Sequence, residues 1–265
     1  MPTALVFGGS GKTARHITRI LVSKSYAVHS IIRDPSQTPD LESLGAKPIV
    51  QSIEEASVEA LVKTIQAVNP SVIIWAAGAG AGSPERTKTV DEEGAIKSFD
   101  AAAEAGVKRY ITISALDVRD RENRPTPDWY SEDDVKMSDR LWGVIKPFML
   151  AKLVADRNLV TENGRRGLEY TIVRPGGLRN EPGKGTISAG KVHLGTIVSR
   201  EDVAAAVVAV IEQNETKGLA IDVVGGDTAI DEAIKTAAQR KEAVIELGRS
   251  VGAIGDKERA VEEEL

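Results

Sequence analysis

The sequence predicts an α/β protein: one parallel β-sheet with helices packed on both faces, wound in two directions from its middle. Three observations carry this. Short, unbroken apolar runs alternate with longer amphipathic ones along most of the chain. The first apolar run ends directly in a glycine-rich loop that opens a helical pattern. The spacing between apolar runs is long enough for crossover helices, and right-handed crossovers then give the doubly wound arrangement.

The elements follow in order. "TALVF" (3–7) is short, continuous and apolar, as a strand buried on both faces should be. "ARHITRILV" (14–22) has helical spacing, and "AVHSII" (27–32) reads as the second strand. "PIV" (48–50) suggests a short third strand. "SVEALVKTIQAV" (57–68) is helical, with Leu61, Ile65 and Val68 on one stripe. "SVIIWAA" (71–77) is the clearest strand, and "AIKSFDAAAEAG" (95–106) a helix stopped by glycine. "RYITIS" (109–114) and "YTIVR" (170–174) are further strands, with Tyr110 and Tyr170 packed at their starts. A helix begins near Pro147; "SREDVAAAVVAVIEQ" (199–213) is another, opened by a Ser-x-x-Asp cap. "AIDVVGG" (220–226) is expected to close the sheet before a last helix from Ile230.

The expected organisation is a single domain over 1–245, with a small C-terminal extension on the substrate side and a tail over 246–265. One stretch breaks the rhythm. Residues 117–140 hold 13 charged residues in 24, and two prolines, which suggests a surface loop or lid. A solvated insertion with no role is the plain alternative. Trp129 and Tyr130 within it either anchor the loop or touch a ligand.

Composition narrows the function. The chain has 265 residues and a net charge of −5, so no general attraction to nucleic acid or anionic lipid is expected. It contains no cysteine, which removes disulfides, thiolate metal sites and a cysteine nucleophile. The three histidines, His16, His29 and His193, are scattered without metal-ligand spacing, so no metal site is expected. His193 is read as structural. No signal peptide and no run long enough to span a membrane is seen, so a soluble cytoplasmic protein is the expectation.

"VFGGSGKTARHI" (6–17) admits two phosphate-binding readings. Gly11-Lys12-Thr13 resembles the end of a P-loop, but that motif needs a glycine at position 6, where Val6 stands inside the strand. The other reading is the dinucleotide loop G-x-G-x-x-A over Gly9 to Ala14, which here follows a strand and opens a helix, as it must. Gly8 and Gly9 allow the turn, and Gly11 lets a pyrophosphate approach main-chain N–H groups around Ser10, Lys12 and Thr13. The second strand ends in Arg33-Asp34; an arginine there forks onto a 2′-phosphate, so NADP is favoured over NAD, with Lys12 adding positive charge. The plain alternatives are a surface salt bridge from Arg33 to Asp34 or Glu42, and a solvated Lys12. Other strand ends are lined with small residues suited to a flat cofactor: Ala76-Ala77-Gly78, Ser114 and Pro175-Gly176-Gly177. Ser52 and Ile53 are placed beside the adenine.

Taken together, "VFGGSGKTA", "IIRDPSQ", "IIWAAGAG", "AGVKRYITISAL", "AKLVADRNL", "LEYTIVRPGGL" and "SREDVAA" resemble the short-chain dehydrogenase/reductase superfamily. The likeness covers about 3–245 and is to the atypical, NmrA-like NAD(P)-binding branch, close to an uncharacterised fungal protein group. It implies a Rossmann-type fold and a nicotinamide near Ser114, Lys152 and the 175–177 turn. Active members of the superfamily use a serine and a Tyr-x-x-x-Lys pair. The matching stretch here is "FMLAK", Phe148 to Lys152: the spacing survives, but Phe148 has no hydroxyl. A positioned acid is worth about 10²–10⁴-fold in rate. Three readings follow. The protein is an NADP-dependent reductase of a small carbonyl, enone or quinone, with Lys152 or Tyr130 supplying the proton; isoflavone-reductase-like relatives are similar in using the lysine alone. Or it is an NADP(H) redox sensor, which adds a protein partner. Or it catalyses a non-redox biosynthetic step with the cofactor as scaffold.

Overall fold

The computed structural model describes residues 1–80 and 82–240. Along the chain run β1 (Thr3–Phe7), α1 (Lys12–Ser23), β2 (Ala27–Ile32), α2 (Thr38–Ser43), β3 (Ala46–Val50), α3 (Val58–Val68) and β4 (Val72–Trp75). A short α4 (Pro84–Thr87) then passes through a π-helical turn (Lys88–Gly94) into α5 (Ala95–Glu104), followed by β5 (Arg109–Ile113). Next come α6 (Glu132–Val144), α7 (Lys146–Thr161), α8 (Asn163–Arg166), β6 (Glu169–Pro175), β7 (Leu178–Arg179), β8 (Thr186–Ala189) and β9 (Val198–Ser199). The described chain ends with α9 (Arg200–Glu212), β10 (Leu219–Gly225), β11 (Thr228–Ala229) and α10 (Ile230–Gln239).

The main sheet has nine strands in the order β11-β8-β10-β6-β5-β4-β1-β2-β3. From β3 to β10 all pairs are parallel, and the order reverses between β1 and β4, the point where doubly wound sheets bind their ligands. This is a Rossmann-type fold. The sheet does not close at β10. β8 joins it antiparallel, and β11 pairs antiparallel with β8. β7 and β9 form a separate parallel pair beside them.

Alternation within each strand divides the core into two layers. Ala4, Val6, Val72, Ile74, Ile111 and Val173 face α1, α9 and α10, where they meet Ile17, Leu21, Val207 and Ile234. Leu5, Phe7, Ile73, Trp75, Tyr110 and Ile172 face the other way, onto Leu61, Ile65, Phe99, Met149 and Leu153 of α3, α5 and α7. Both faces of the central strands are therefore covered, which explains their unbroken apolar sequences. Tyr110 is fully buried, with its hydroxyl 2.6 Å from Ser98 Oγ. The expected cap is present as well: Ser199 Oγ accepts the Asp202 N–H at 2.9 Å.

Residues 117–140 differ from the expected loop in their second half, which forms the start of α6. A capping box opens that helix: Ser131 Oγ accepts from Asp134 N at 3.2 Å, and Asp134 Oδ2 accepts from Ser131 N at 2.9 Å. The buried face of α6 carries Asp134, Ser138 and Trp142, so its amphipathic signal is mostly polar and hard to see in sequence. The segment is anchored at Asp117, whose backbone is left-handed at φ 62°. Its carboxylate accepts from Arg119 Nε at 2.9 Å, Tyr130 OH at 3.0 Å and Trp142 Nε1 at 3.2 Å. Trp129 lies under the Lys191 ammonium, 4.6 Å from the ring centroid. Both aromatics hold the insertion to the domain. The tail over 246–265 lies outside the described residues.

Asp117→Ala removes the acceptor for a buried arginine and two aromatic donors at once. We expect a loss of about 3–5 kcal/mol, the range for breaking a buried ion pair from one side, read as a lower denaturant midpoint. Asp117→Asn, which tolerates the left-handed backbone and keeps one acceptor, should lose clearly less; equal losses would show that the carboxylate's charge, not its geometry, is what counts.

Candidate active site: a dinucleotide groove and an adjoining apolar cavity

The loop after β1 is fixed by its own main chain. Gly8 N and Gly9 N both donate to Ile31 O at 3.1 Å, and Gly11 N donates to Gly8 O at 3.0 Å. Gly8 adopts φ +73°, and a Cβ there would fall 2.5 Å from Ala77 Cα. A Cβ on Gly9 would fall 2.5 Å from Ser30 Cβ. These two glycines let the loop sink between β2 and β4. Gly11 is less confined: its Cβ would meet Gly8 O tightly at 3.2 Å but nothing else nearer than 3.8 Å, and the residue lines the groove. Gly11 also caps α1 with no side-chain bond, leaving the helix's first N–H groups directed outward.

A groove of about 220 Å³ runs over this loop and the ends of β2, β3 and β4. Of the residues expected to hold a cofactor, Gly8, Ser10, Gly11, Arg33, Ile53, Ala76, Ala77 and Gly78 line it. Gly9 backs onto Ser30, Lys12 is exposed on α1, and Thr13 lies in its first turn. Ser52 faces the turn instead, accepting from Glu55 N at 3.3 Å. The groove also contains groups the sequence did not announce: Gln37, Gln51, Glu54 and Arg86. Arg33 pairs neither with Asp34 nor with Glu42. Its Nη1 lies 3.1 Å from Glu54 Oε2, while Arg86 Nε lies 3.5 Å from Glu54 Oε1.

At the far end of the groove, Gly78 backs onto Asp91, whose Oδ1 would lie 3.1 Å from a Cβ on that glycine. Asp91 is buried in the π-helical turn. Its Oδ2 accepts from Ala79 N at 2.8 Å, and its Oδ1 lies 3.1 Å from Lys152 Nζ. Lys152 Nζ also donates to Ile113 O at 3.2 Å. The ammonium is thus held by α7, β5 and the π-helical turn together, behind the groove wall at Gly78, and Lys152 itself lines neither the groove nor the apolar cavity beyond it. Phe148, one turn earlier on α7, has its ring centroid 5.7 Å from Lys152 Nζ.

Beyond this point lies a second cavity of about 270 Å³, lined by Ser114, Phe148 and the Pro175–Gly177 turn with Leu116, Met137, Leu141, Leu194 and Ile197. Ser114 Oγ donates to Asp156 Oδ2 at 2.7 Å. Asp156 also pairs with Arg174 at 3.3 Å. Burial pushes the Asp156 carboxyl upward, against the pull of Arg174, Ser114 and Lys152.

A family model described as NAD(P)H-binding matches residues 8–214. The chain belongs to this NAD(P)H-binding family. UPF0659 protein C216.03 of Schizosaccharomyces pombe is 37% identical over 88% of this chain and 94% of its own length. The uncharacterized sugar epimerase YhfK of Bacillus subtilis is 35% identical over 87% of this chain and 97% of its own. Among solved structures, the oxidoreductase ylbE of Lactococcus lactis is similar with a TM-score of 0.74 and 25% identity, covering 89% of this chain and 97% of that one. A short-chain dehydrogenase/reductase of Veillonella parvula, solved with NADP, shares the fold at a TM-score of 0.65 and 17% identity, over 87% of this chain and 97% of that one.

The expected proton donor Tyr130 stands elsewhere in this NAD(P)H-binding protein, and His193, expected to be structural, pairs with an aspartate. Tyr130 lines neither cavity. Its hydroxyl is committed to Asp117, and burial, reinforced by the charges of Asp117 and Asp222, raises its pKa far above the ordinary phenol range. His193 Nδ1 lies 2.6 Å from Asp134 Oδ2, with most of the ring in solvent. Burial alone would raise the Asp134 pKa, but hydrogen bonds from His193, Leu194 N and Ser131 outweigh it and hold the carboxyl at about 2. Among the described residues no helix is long and apolar enough to cross a membrane.

The two kinds of glycine should separate in experiment. Gly9→Ala forces a contact inside the fold and should cost about 1–3 kcal/mol in unfolding free energy. Gly11→Val should lose less stability than Gly9→Ala but weaken nicotinamide-nucleotide binding by about tenfold or more in calorimetric titration. Tight binding by Gly11→Val would remove the loop from the site.

Proposed function

We propose that the protein is an NADP(H)-dependent oxidoreductase of a small carbonyl, enone or quinone, with Phe148 standing where its superfamily carries a tyrosine. The observation that carries this reading is the placement of Lys152. Its buried ammonium, paired with Asp91, lies behind both walls: Asp91 backs onto Gly78 of the groove, and Phe148 and Met149 on the same helix line the apolar cavity, while Lys152 itself lines neither. The bound nicotinamide would supply or accept hydride. The glycine loop and the N-terminus of α1 would hold the pyrophosphate through main-chain N–H groups. Lys152 donates one hydrogen bond, to Ile113 O, and forms an ion pair with Asp91 Oδ1. A remaining N–H would serve a ribose hydroxyl or a substrate oxygen. Lys152→Met should bind nucleotide more weakly and lose acceptor-dependent NADPH oxidation; unchanged turnover would take the lysine out of the chemistry.

Arg33 and Arg86 flank Glu54, and this trio supports the preference for NADP. A 2′-phosphate can take the place of the Glu54 carboxylate against Arg33, exchanging one anion for another. Glu54 then sets how much binding of that phosphate yields. Glu54→Gln should tighten NADP binding by about tenfold and leave NAD within about twofold, since each tenfold is about 1.4 kcal/mol. Equal changes for both nucleotides would mean that Arg33 does not meet the 2′-phosphate.

One observation favours a second reading, an NADP(H) redox sensor without turnover. Phe148 offers no proton, Ser114 gives its own to Asp156, and Tyr130 gives its own to Asp117. A sensor must bind NADP and NADPH with different affinities, because a ligand without preference shifts no equilibrium. Equal affinities, together with turnover of any acceptor, decide for the enzyme.

A further inference from the structure

The cavity beside Lys152 carries a statement about its ligand. Not one of its lining residues is charged, and Ser114 supplies the sole side-chain hydroxyl. That hydroxyl's proton points at Asp156, 2.7 Å away, so toward the cavity Ser114 offers only a lone pair. The remaining side chains there, among them Leu116, Met137, Leu141, Phe148, Met149 and Leu194, have no strong hydrogen-bonding group. The charges nearest to this wall are occupied behind it: Asp156 by Arg174, and Asp134 by Leu194 N at 2.7 Å and by His193.

We propose that this cavity takes an uncharged, largely apolar carbonyl compound and rejects sugars and nucleotide sugars. The inference deepens the oxidoreductase reading and rests on it. A sugar ring carries several hydroxyls, and each one buried without a partner costs about 1–3 kcal/mol. Three such groups would cancel the gain from burying the ring. A nucleoside diphosphate needs cations or a cluster of N–H groups. The polar cleft beyond Ile197 is lined by two cations, Arg179 and Lys184, and two carboxylates, Asp202 and Asp227, so it carries no net positive charge for a diphosphate. An apolar carbonyl needs one donor at most, and Lys152, whose ammonium lies behind the cavity-lining Phe148 at 5.7 Å from its ring centroid, would supply it.

The test is a binding measurement on the full chain saturated with NADP⁺, so that no turnover occurs and a nucleotide probe cannot enter the cofactor groove. Titrations with 1,4-naphthoquinone, UDP-glucose and glucose are followed by saturation-transfer NMR. Naphthoquinone should bind and the two sugars should not. Leu141→Asp, and Ile145→Asp at the 37%-exposed rim, where a charge is least harmful to folding, should each weaken naphthoquinone at least tenfold while NADP⁺ binding stays within twofold. Binding of either sugar in preference, no binding of naphthoquinone, or naphthoquinone affinity unchanged by a correctly folded variant overturns the proposal. If NADP⁺ itself fails to bind in a separate titration made before these, it is the underlying oxidoreductase reading that falls.

Discussion

The structure depends on a contact that no side chain could survive. The turn after β1 passes so close to β2 and β4 that a single added carbon at Gly8 or Gly9 would overlap Ala77 or Ser30. Only this depth lets α1 begin directly above the sheet, where the strand order reverses and neighbouring loops diverge. The groove is therefore made of main chain first. Its side chains, Arg33, Glu54 and Arg86, decorate one end of it rather than create it.

The opposite end follows a different principle. Asp91, Lys152, Ser114, Asp156 and Arg174 are all buried, and all bear charge or hydrogen bonds. Such a network is poor value for stability, because desolvating each ion costs several kcal/mol that pairing only partly returns. Its use is positional. The ammonium of Lys152 is fixed by partners from a π-helical turn and a strand end, and π-helical turns often mark functional positions. Away from water, the polar contacts that hold it are stronger than the same contacts would be in solvent.

How much of this was legible in the sequence differs by element. The central strands were readable because burial on both faces makes them uniformly apolar. Lys152 and Phe148 were reached only through the resemblance, whose Tyr-x-x-x-Lys spacing "FMLAK" keeps on one helix. β8 escaped because four residues, "TISA", give too short a pattern, and it pairs antiparallel at the sheet's far side. α6 escaped because it buries an aspartate and a serine. Glu54, Arg86 and Asp91 escaped for a deeper reason: they come from the loop after β3, from α4 and from the π-helical turn, and only tertiary folding brings them to Arg33 and Lys152. No local spacing encodes those meetings. What could have drawn attention to Glu54 is its position just past a strand end that faces the groove.

The central claim is that main-chain N–H groups at the start of α1 hold a dinucleotide's paired phosphates. Amide hydrogen exchange of the intact protein, with and without NADP⁺, tests this at the atoms concerned. The account predicts that the amides of residues 10–13 gain protection on adding the nucleotide, with smaller gains along Arg33 and Ala76–Gly78. Nucleotide binding that leaves those amides exchanging as before, or protection confined to another surface, would contradict it.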